Sequence, residues 1–264
     1  MRGARARARR PEEAEDRIVL KSPEEIEVMR RAGRVVAATL ALLDKACAPG
    51  VTTGELNALA ERAMRERGAV PSFLGYQGFP ASVCLSVNDE VVHGIPGERR
   101  LREGDIVGID VGAIVDGYQA DGAVTARVGR VGERARRLVR VTREALARGI
   151  AQAAPGKRLV DVARAVQTHV ERNGYSVVRD LVGHGIGRAM HEPPQVPNFV
   201  DQVEDVELQV GMTLAIEPMV NEGDAAIARD ADGWTFRTRD GSLSAHWEHT
   251  VAVGAKGPVI LTAP

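Results

Sequence analysis

A repeat displaced by 106 to 107 positions runs through this chain and restricts it to architectures built from two like halves. Ala48-Pro49-Gly50 returns as Ala154-Pro155-Gly156, Glu55-Leu56 as Asp161-Val162 and Gly68 as Gly174, all at an offset of 106. Farther on, Leu101-Arg102-Glu103-Gly104-Asp105-Ile106-Val107-Gly108-Ile109-Asp110 aligns with Leu208-Gln209-Val210-Gly211-Met212-Thr213-Leu214-Ala215-Ile216-Glu217 at 107. The constancy of the offset argues against chance recurrence of a few Gly and Pro residues. Each half reads as two helices followed by strands, so the expectation is one pseudo-symmetric α+β domain. Asp110 and Glu217 occupy equivalent positions, which predicts a carboxylate from each half facing a shared central cleft.

Local signals carry the same pattern. Ser22-Pro23-Glu24-Glu25 combines an N-cap, a proline at the first helical position and a capping-box acid. Ile26, Met29, Gly33, Val36, Leu40 and Leu43 follow at helical spacing and predict one buried stripe, halted by Ala48-Pro49-Gly50. A second helix is expected through Leu56, Leu59, Ala60 and Ala63 as far as Gly68. A later one carries Leu138, Val141 and Ala145. Residues 106–111 read as an apolar strand interrupted by a charge, and Asp116-Gly117 as a hairpin turn. With two residues in that turn, Asp110 lies opposite Ala123, and Asp121 is its diagonal neighbour on the same face. A slip of one residue would separate the two aspartates.

Two aspartates side by side on a buried face repel unless a cation or proton intervenes. Glu217, within 214–220, and Glu248, within 243–251 after a turn signal at Asp240-Gly241, repeat the oddity of an acid in an apolar strand. Four such acids are better explained by bound cations than by edge-strand charges, because burying unpaired charge is prohibitively costly. Strand alternation groups His246, Glu248 and Thr250 on one face, and Trp247, His249 and Val251 on the other. Gly183-His184-Gly185-Ile186-Gly187 adds an imidazole in a loop whose glycines let backbone approach a site. His191-Glu192-Pro193-Pro194 has only a superficial likeness to the zinc-protease helix, since its prolines forbid that helix and the second His is missing. His93 lies in a turn-like stretch, 91–96. His169 reads as a surface residue of a helix, His249 as structural and His246 as a hydrogen-bonded strand residue. Four carboxylates and one imidazole favour a dinuclear Mn, Fe or Co centre over a Cys-bound zinc. Two such ions about 3.5–4 Å apart polarise a carbonyl and activate water, which is hydrolase chemistry.

Composition removes several classes. The 35 basic and 36 acidic residues nearly cancel, and five of the basic ones (Arg2, Arg5, Arg7, Arg9 and Arg10) sit in the first ten positions. Without those five the balance is 30 against 36, which is not the basic surface of a dedicated nucleic-acid binder. The two cysteines, Cys47 and Cys84, are in no paired spacing and suit a reducing compartment. No apolar run approaches the roughly 18 residues of a membrane span. The Arg-rich start runs into Pro11-Glu12-Glu13 without the apolar core of a secretory signal. Residues 1–18 are expected to form a disordered tail, with loose contact to an acidic surface such as the ribosome as its second reading. The expected location is the cytoplasm.

Taken together, these residues resemble the type I methionine aminopeptidases. The resemblance runs from Lys21-Ser22-Pro23-Glu24 to Ile260-Leu261-Thr262. It includes Pro80-Ala81-Ser82-Val83-Cys84, Asn88-Asp89-Glu90-Val91-Val92-His93-Gly94-Ile95-Pro96, the Asp110/Asp121 pair, Gly183-His184-Gly185-Ile186-Gly187, Ile216-Glu217-Pro218 and Glu248-His249-Thr250. Each is weak alone; their order and spacing make them specific. The resemblance implies the pita-bread (creatinase/aminopeptidase) fold, with pseudo-two-fold duplicated helices over a curved antiparallel β-sheet. One catalytic domain would then cover 19–264, with pseudo-repeats at about 19–130 and 131–264. The implied activity is removal of the initiator methionine from nascent proteins, with a small second residue preferred, by a monomer carrying two divalent ions (Co, Mn or Fe). It further implies that Asp110, Asp121, His184, Glu217 and Glu248 are the metal ligands. Asp121 and Glu248 would bridge both ions, His184 and Glu217 would hold one, and Asp110 the other. His93 and His191 would contact the scissile peptide, and Glu217 would shuttle a proton. Tyr76, Phe79, Cys84, Met190 and Trp234 would form the methionine pocket.

Four positions depart from the family pattern. Gln119 stands where His is common, Gly122 where Thr is usual, His246 where Gln is frequent and Met190 where Phe is usual. None removes a ligand; they bear on pocket shape and on the groups around the ligands. Proline-specific aminopeptidases and prolidases share the fold and the five ligands but usually carry an extra N-terminal domain, and about 20 residues precede the first helix here. Type II methionine aminopeptidases carry an insertion between the loop His and the next Glu, and the 33 positions from His184 to Glu217 leave no room for it. A non-catalytic pita-bread binding protein is the third alternative, and it would be expected to have lost ligands.

Overall fold

The computed structural model describes residues 17–201 and 206–263. Residues 1–16, which carry the Arg-rich start and the reading of a tail on an acidic surface, lie outside the described residues. The first half contains helices α1 (Pro23–Ala46) and α2 (Thr53–Glu66), then strands β1 (Val70–Pro71), β2 (Cys84–Val87), β3 (Glu90–Val92), β4 (Ile106–Val115) and β5 (Tyr118–Arg127). The second opens with α3 (Glu133–Ile150) and α4 (Leu159–Arg172), followed by β6 (Ser176–Val177), β7 (Gly183–Gly185), β8 (Glu192–Val196) and β9 (Thr213–Ile216). It closes with β10 (Met219–Asn221), β11 (Ile227–Arg229), β12 (Phe236–Thr238), β13 (Ser244–His246), β14 (Glu248–Gly254) and β15 (Gly257–Ile260).

The repeat extends to the backbone. Gly50 (φ 92°) and Gly156 (φ 79°) are both left-handed, a conformation that glycine adopts without strain. Their N–H groups donate to the equivalent carbonyls of Leu101 (2.8 Å) and Leu208 (3.1 Å). Each helix pair is thereby pinned to the segment that leads into β4 or β9. The start of α1 is as read: Ser22 and Glu25 form the capping box and Pro23 is the first helical residue. α2 starts at Thr53, earlier than its apolar pattern suggested, because Thr52 and Glu55 form a second capping box that the pattern did not reveal. Full burial of Met29, Val36 and Leu43 on the inner face of α1 stabilises the fold by about 1.5–3 kcal/mol each.

A nine-stranded antiparallel sheet runs in the order β1-β4-β5-β14-β9-β7-β8, with β2 on β4 and β15 on β14. Repeat-related β4 and β9 flank the central strands β5 and β14. Leu40 and Leu43 pack with Val107, Ile109 and Val111 under the first half, while Leu146, Leu159 and Val162 pack with Leu214, Ile216 and Val251 under the second. The β4–β5 turn has two residues, Asp116 (φ 49°) and Gly117 (φ 77°), and its register sets Asp110 opposite Ala123 and Gly112 opposite Asp121. Asp110 and Asp121 therefore share a face.

Two stretches read as single strands are each split between sheets. The segment 214–220 leaves the large sheet at Glu217-Pro218 and resumes as β10 in a small sheet, β13-β10-β6. Pro218 has no N–H to give to a ladder, so the strand changes partners there. The segment 243–251 changes sheets at Trp247, whose N–H donates to the Pro218 carbonyl (3.4 Å). His246 and Glu248 thus belong to different sheets, and Glu217 and Glu248 sit at the seam. A third sheet has the order β11-β12-β3. His169 is not a free surface residue: its ring lies 3.1 Å from Glu144, tying α4 to α3. Among the described residues no helix is long and apolar enough to cross a membrane.

Where β14 runs past β5, a side chain replaces the ladder. The buried Thr250 Oγ1 accepts from the Asp121 N–H and donates to the Asp121 carbonyl, both at 2.8 Å. Thr250→Val keeps the shape but strands both backbone groups. The expected loss is about 1–3 kcal/mol of unfolding free energy in urea titration; a loss within error would show that the hydroxyl does not hold these strands together.

Candidate metal centre

All twelve residues named from the sequence as ligands, catalytic groups or pocket walls line one cavity of about 130 Å³. The β4–β5 hairpin supplies Asp110 and Asp121, β14 supplies Glu248, the seam supplies Glu217 and β7 supplies His184. Asp121, His184 and Glu248 are buried, and their candidate ligand atoms lie within 4.8 Å of one another. Asp110 Oδ1 and Glu248 Oε1 are buried without a hydrogen-bond partner. Such orphaned acceptors suit a cation. His184 is set up for the same task. Its Nδ1 lies 2.8 Å from the Gly185 carbonyl, which can only accept, so Nδ1 carries the proton and Nε2 keeps its lone pair. That Nε2 is 3.7 Å from Glu217 Oε1.

The electrostatics agree with the donor set. Burial, then the charges of Asp121 and Glu217, push the Asp110 carboxyl well above its ordinary range. Burial and Glu217 raise Asp121 to about 7, burial raises Glu217 to about 8, and burial with the neighbouring acids lifts Glu248 well up. Among the described residues no Lys or Arg forms an ion pair with any of the four; the neighbours of Glu217 are the imidazoles of His184 and His246. Burial holds those imidazoles neutral, His184 down to about 3 and His246 to about 4. The positive charge that these carboxylates require is not supplied by the described residues.

The glycines around His184 are required by contact. A Cβ on Gly183 would strike the Ala215 carbonyl of β9, and one on Gly185 the Pro193 carbonyl of β8. β7 can carry its imidazole between those strands only as Gly-His-Gly. His191 stands at the mouth, its ring centroid 4.2 Å from that of His184 and its Nδ1 2.7 Å from the Tyr76 hydroxyl. His93 (φ 60°) follows β3, and its ring lies edge-on to Phe236 at 5.8 Å. Burial, with His246 and His191 nearby, lowers it to about 4.

The apolar end of the cavity is closed by Tyr76, Phe79, Cys84, Met190 and Trp234, with Phe79 and Trp234 edge-on at 5.1 Å. Cys84 pairs with Asp110 across β2 and β4. Burial, then the charges of Asp110, Asp121 and Glu248, raise its thiol far above the ordinary range, so it is an unreactive wall. Phe73 and Gln77 also line the cavity and were not read from the sequence. A signal for Phe73 existed: the chain has only four Phe, three Tyr and two Trp, and Phe73, Tyr76 and Phe79 recur every third residue. Of the departures, Met190 is in the wall and His246 is 3.6 Å from Glu217 Oε2. Gln119 instead holds the loop before His191, its side-chain Nε2 donating to the Arg188 carbonyl (3.2 Å) beside the bond from its backbone N–H to the Gly187 carbonyl (2.8 Å). Gly122 lies beneath α1, where a Cβ would come within 3.2 Å of Val36.

The profile of metallopeptidase family M24 matches residues 27–255. A methionine aminopeptidase of Clostridium acetobutylicum is 50% identical over 246 residues, 93% of this chain and 98% of that protein. One from Escherichia coli K12 is 45% identical over 93% of this chain and 94% of its own. Among solved structures, a methionine aminopeptidase from Thermotoga maritima superposes with a TM-score of 0.92 at 46% identity, covering 94% of this chain and all of that one. A prolidase from Pyrococcus furiosus reaches 0.77 at 23% identity over 96% of this chain and 68% of its own, a likeness of fold alone.

The raised carboxylates give the metal-free chain a signed pH dependence. Asp121 and Glu217 bind protons more tightly folded than unfolded, so stability falls as pH rises from their ordinary values, 3.8 and 4.5, to about 7 and 8. The imidazoles with lowered pKa act oppositely, but only below their ordinary 6.5. Between pH 6.5 and 8 the acids act alone. With chelator, Tm should fall across that window, and added Mn should raise Tm more at pH 8 than at 6.5. A flat, metal-insensitive Tm would remove the case for a cation site.

Proposed function

The chain belongs to metallopeptidase family M24, and on that premise we infer that it removes the N-terminal methionine from nascent proteins and favours a small second residue. The observation that carries this reading is one cavity whose walls change from a buried acid and imidazole cluster to an apolar and aromatic slot. Four acids and one imidazole exceed the needs of a single ion, which supports a pair of divalent ions, with Mn, Fe or Co favoured by the oxygen-rich donors. As the family resemblance implies, Asp121 and Glu248 would be shared by both ions, His184 with Glu217 would hold one, and Asp110 the other. Bound there, the ions supply Lewis acidity toward the peptide carbonyl and activate water.

The chain's own groups do the rest. His191 is neutral near pH 7, since burial lowers its pKa, and with Nδ1 on the Tyr76 hydroxyl its Nε2 is left for the substrate. It donates to the oxygen on which charge develops, and His93 contacts the same peptide. Glu217, whose proton affinity burial has raised, carries the proton of the attacking water to the leaving amine. Methionine's unbranched thioether fits a slot whose only charged groups lie at its cluster end.

Stripping metal should abolish cleavage of a Met-Ala-Ser peptide, and Mn, Co or Fe should restore it, with an Xaa-Pro peptide remaining a poor substrate. Full activity in a rigorously metal-free preparation, or preference for Xaa-Pro, would overturn this reading. His191→Ala should keep its metal but lose kcat by about 100–1000-fold, the common cost of a lost oxyanion donor. Loss of metal from that variant, but not from His184→Ala, would exchange the two roles.

Met190 is buried in the wall, where a thioether can repack around different guests and an aromatic ring cannot. Methionine should therefore be preferred while norleucine is also well accepted, and Met190→Phe should sharpen the choice. The ratio of kcat/KM for Met-Ala-Ser and norleucine-Ala-Ser measures this; an unchanged ratio would mean that wall flexibility plays no part in selection.

A further inference from the structure

We propose that the Lys21–Glu192 ion pair is the positioning device for His191, an inference that rests on the transition-state role given to His191 above. The pair is out of water: the side chains are 4% and 13% exposed. Each charge has a further partner, since Lys21 Nζ donates to the Val19 carbonyl (3.1 Å) and Glu192 Oε1 accepts from the Ala189 N–H (3.1 Å). Backbone is cleared for it. A Cβ on Gly187 would stand 2.5 Å from Lys21 Cε and 2.6 Å from Glu192 Oε1, so the third glycine of the loop is the opening through which the lysine reaches the acid.

The geometry links this pair to the site. Glu192 directly follows His191 and is the first residue of β8, so the two share a peptide unit at the point where the bend enters the sheet. Holding Glu192 on Lys21 anchors the backbone from which His191 reaches the cavity that it lines. His191 is only partly covered, with part of its surface open to solvent. Its ring is otherwise fixed by the Tyr76 hydroxyl and the His184 ring. Lys21 is fixed in turn, because its N–H donates to the Gly211 carbonyl (2.8 Å) and Ser22, the N-cap of α1, follows it. The rest of the loop is tethered from the same side, with Gln119 on Gly187 and the Arg188 guanidinium 4.2 Å from the Tyr118 ring centroid.

The test combines Lys21→Met with Glu192→Leu. Replacing both charges with apolar groups avoids an unpaired buried charge and preserves folding. Metal content should match wild type, KM for Met-Ala-Ser should change little, and kcat should fall on the order of 10–100-fold, the scale of an ångström-sized misplacement. In a His191→Ala background the same pair of substitutions should cost almost nothing further, since the group they position is gone. A metal-loaded double variant at wild-type kcat, or an equal loss in both backgrounds, would overturn the proposal. If His191→Ala itself retains wild-type kcat, the role assigned to His191 fails first, and that result is separable from either of these. Should the double variant fold poorly, Lys21→Met with Glu192→Gln keeps the Ala189 contact, leaves no unpaired buried charge and provides the same comparison.

Discussion

Repulsion among Asp110, Asp121, Glu217 and Glu248 is the constraint around which this fold is arranged. Four carboxylates brought into a cavity of low dielectric cannot all ionise unless positive charge joins them, and the nearby side chains offer only imidazoles that burial keeps neutral. The scaffold holds the acids together nonetheless. Asp121 is fixed at its own backbone by Thr250, Asp110 by a ten-residue hairpin register, and Glu217 and Glu248 by a seam where two strands change sheets. The strain of assembling like charges is thereby stored where a cation relieves it, so metal affinity and metal-free instability are two aspects of one arrangement.

The remainder of the site follows from where that cluster sits. The acids lie on the sheet face opposite the one that packs on α1, and the cavity they line lies on that side. The aromatic groups are concentrated there: Phe73, Tyr76, Phe79 and Trp234 are four of only nine in the chain. The other five rings are spread over the cores, which are otherwise filled with Leu, Val, Ile and Ala, so this cavity holds the largest gathering of rings among the described residues.

The glycines of 183–187 show how sequence economy and tertiary geometry meet. They make no turn that demands a left-handed conformation. Each is small because another strand or an ion pair passes close by: β9 at Gly183, β8 at Gly185, and the Lys21–Glu192 contact at Gly187. Read along the chain, Gly-His-Gly-Ile-Gly signals only that backbone approaches something. The identity of the neighbour, 166 positions away for Lys21, is supplied by the fold.

The sequence by itself determined what depends on near neighbours. The α1 capping box, its buried stripe, the two-residue turn and the shared face of Asp110 and Asp121 all follow from periods of 3.6 and 2 and from the backbone demands of Pro, Gly and Asp. The duplication was legible too, since offsets of 106 to 107 link residues that take matching conformations, and the family resemblance brought twelve of the fourteen residues that line the cavity into view. Only tertiary structure decided that the strands through Glu217 and Glu248 break between sheets, that Phe73 and Gln77 join the wall, that His169 ties two helices and that Lys21 reaches Glu192. The physical reason is range: a helix or hairpin is set by contacts a few residues apart, whereas a strand exchange or a buried ion pair exists only once distant segments have packed, and no local pattern records which segments will meet.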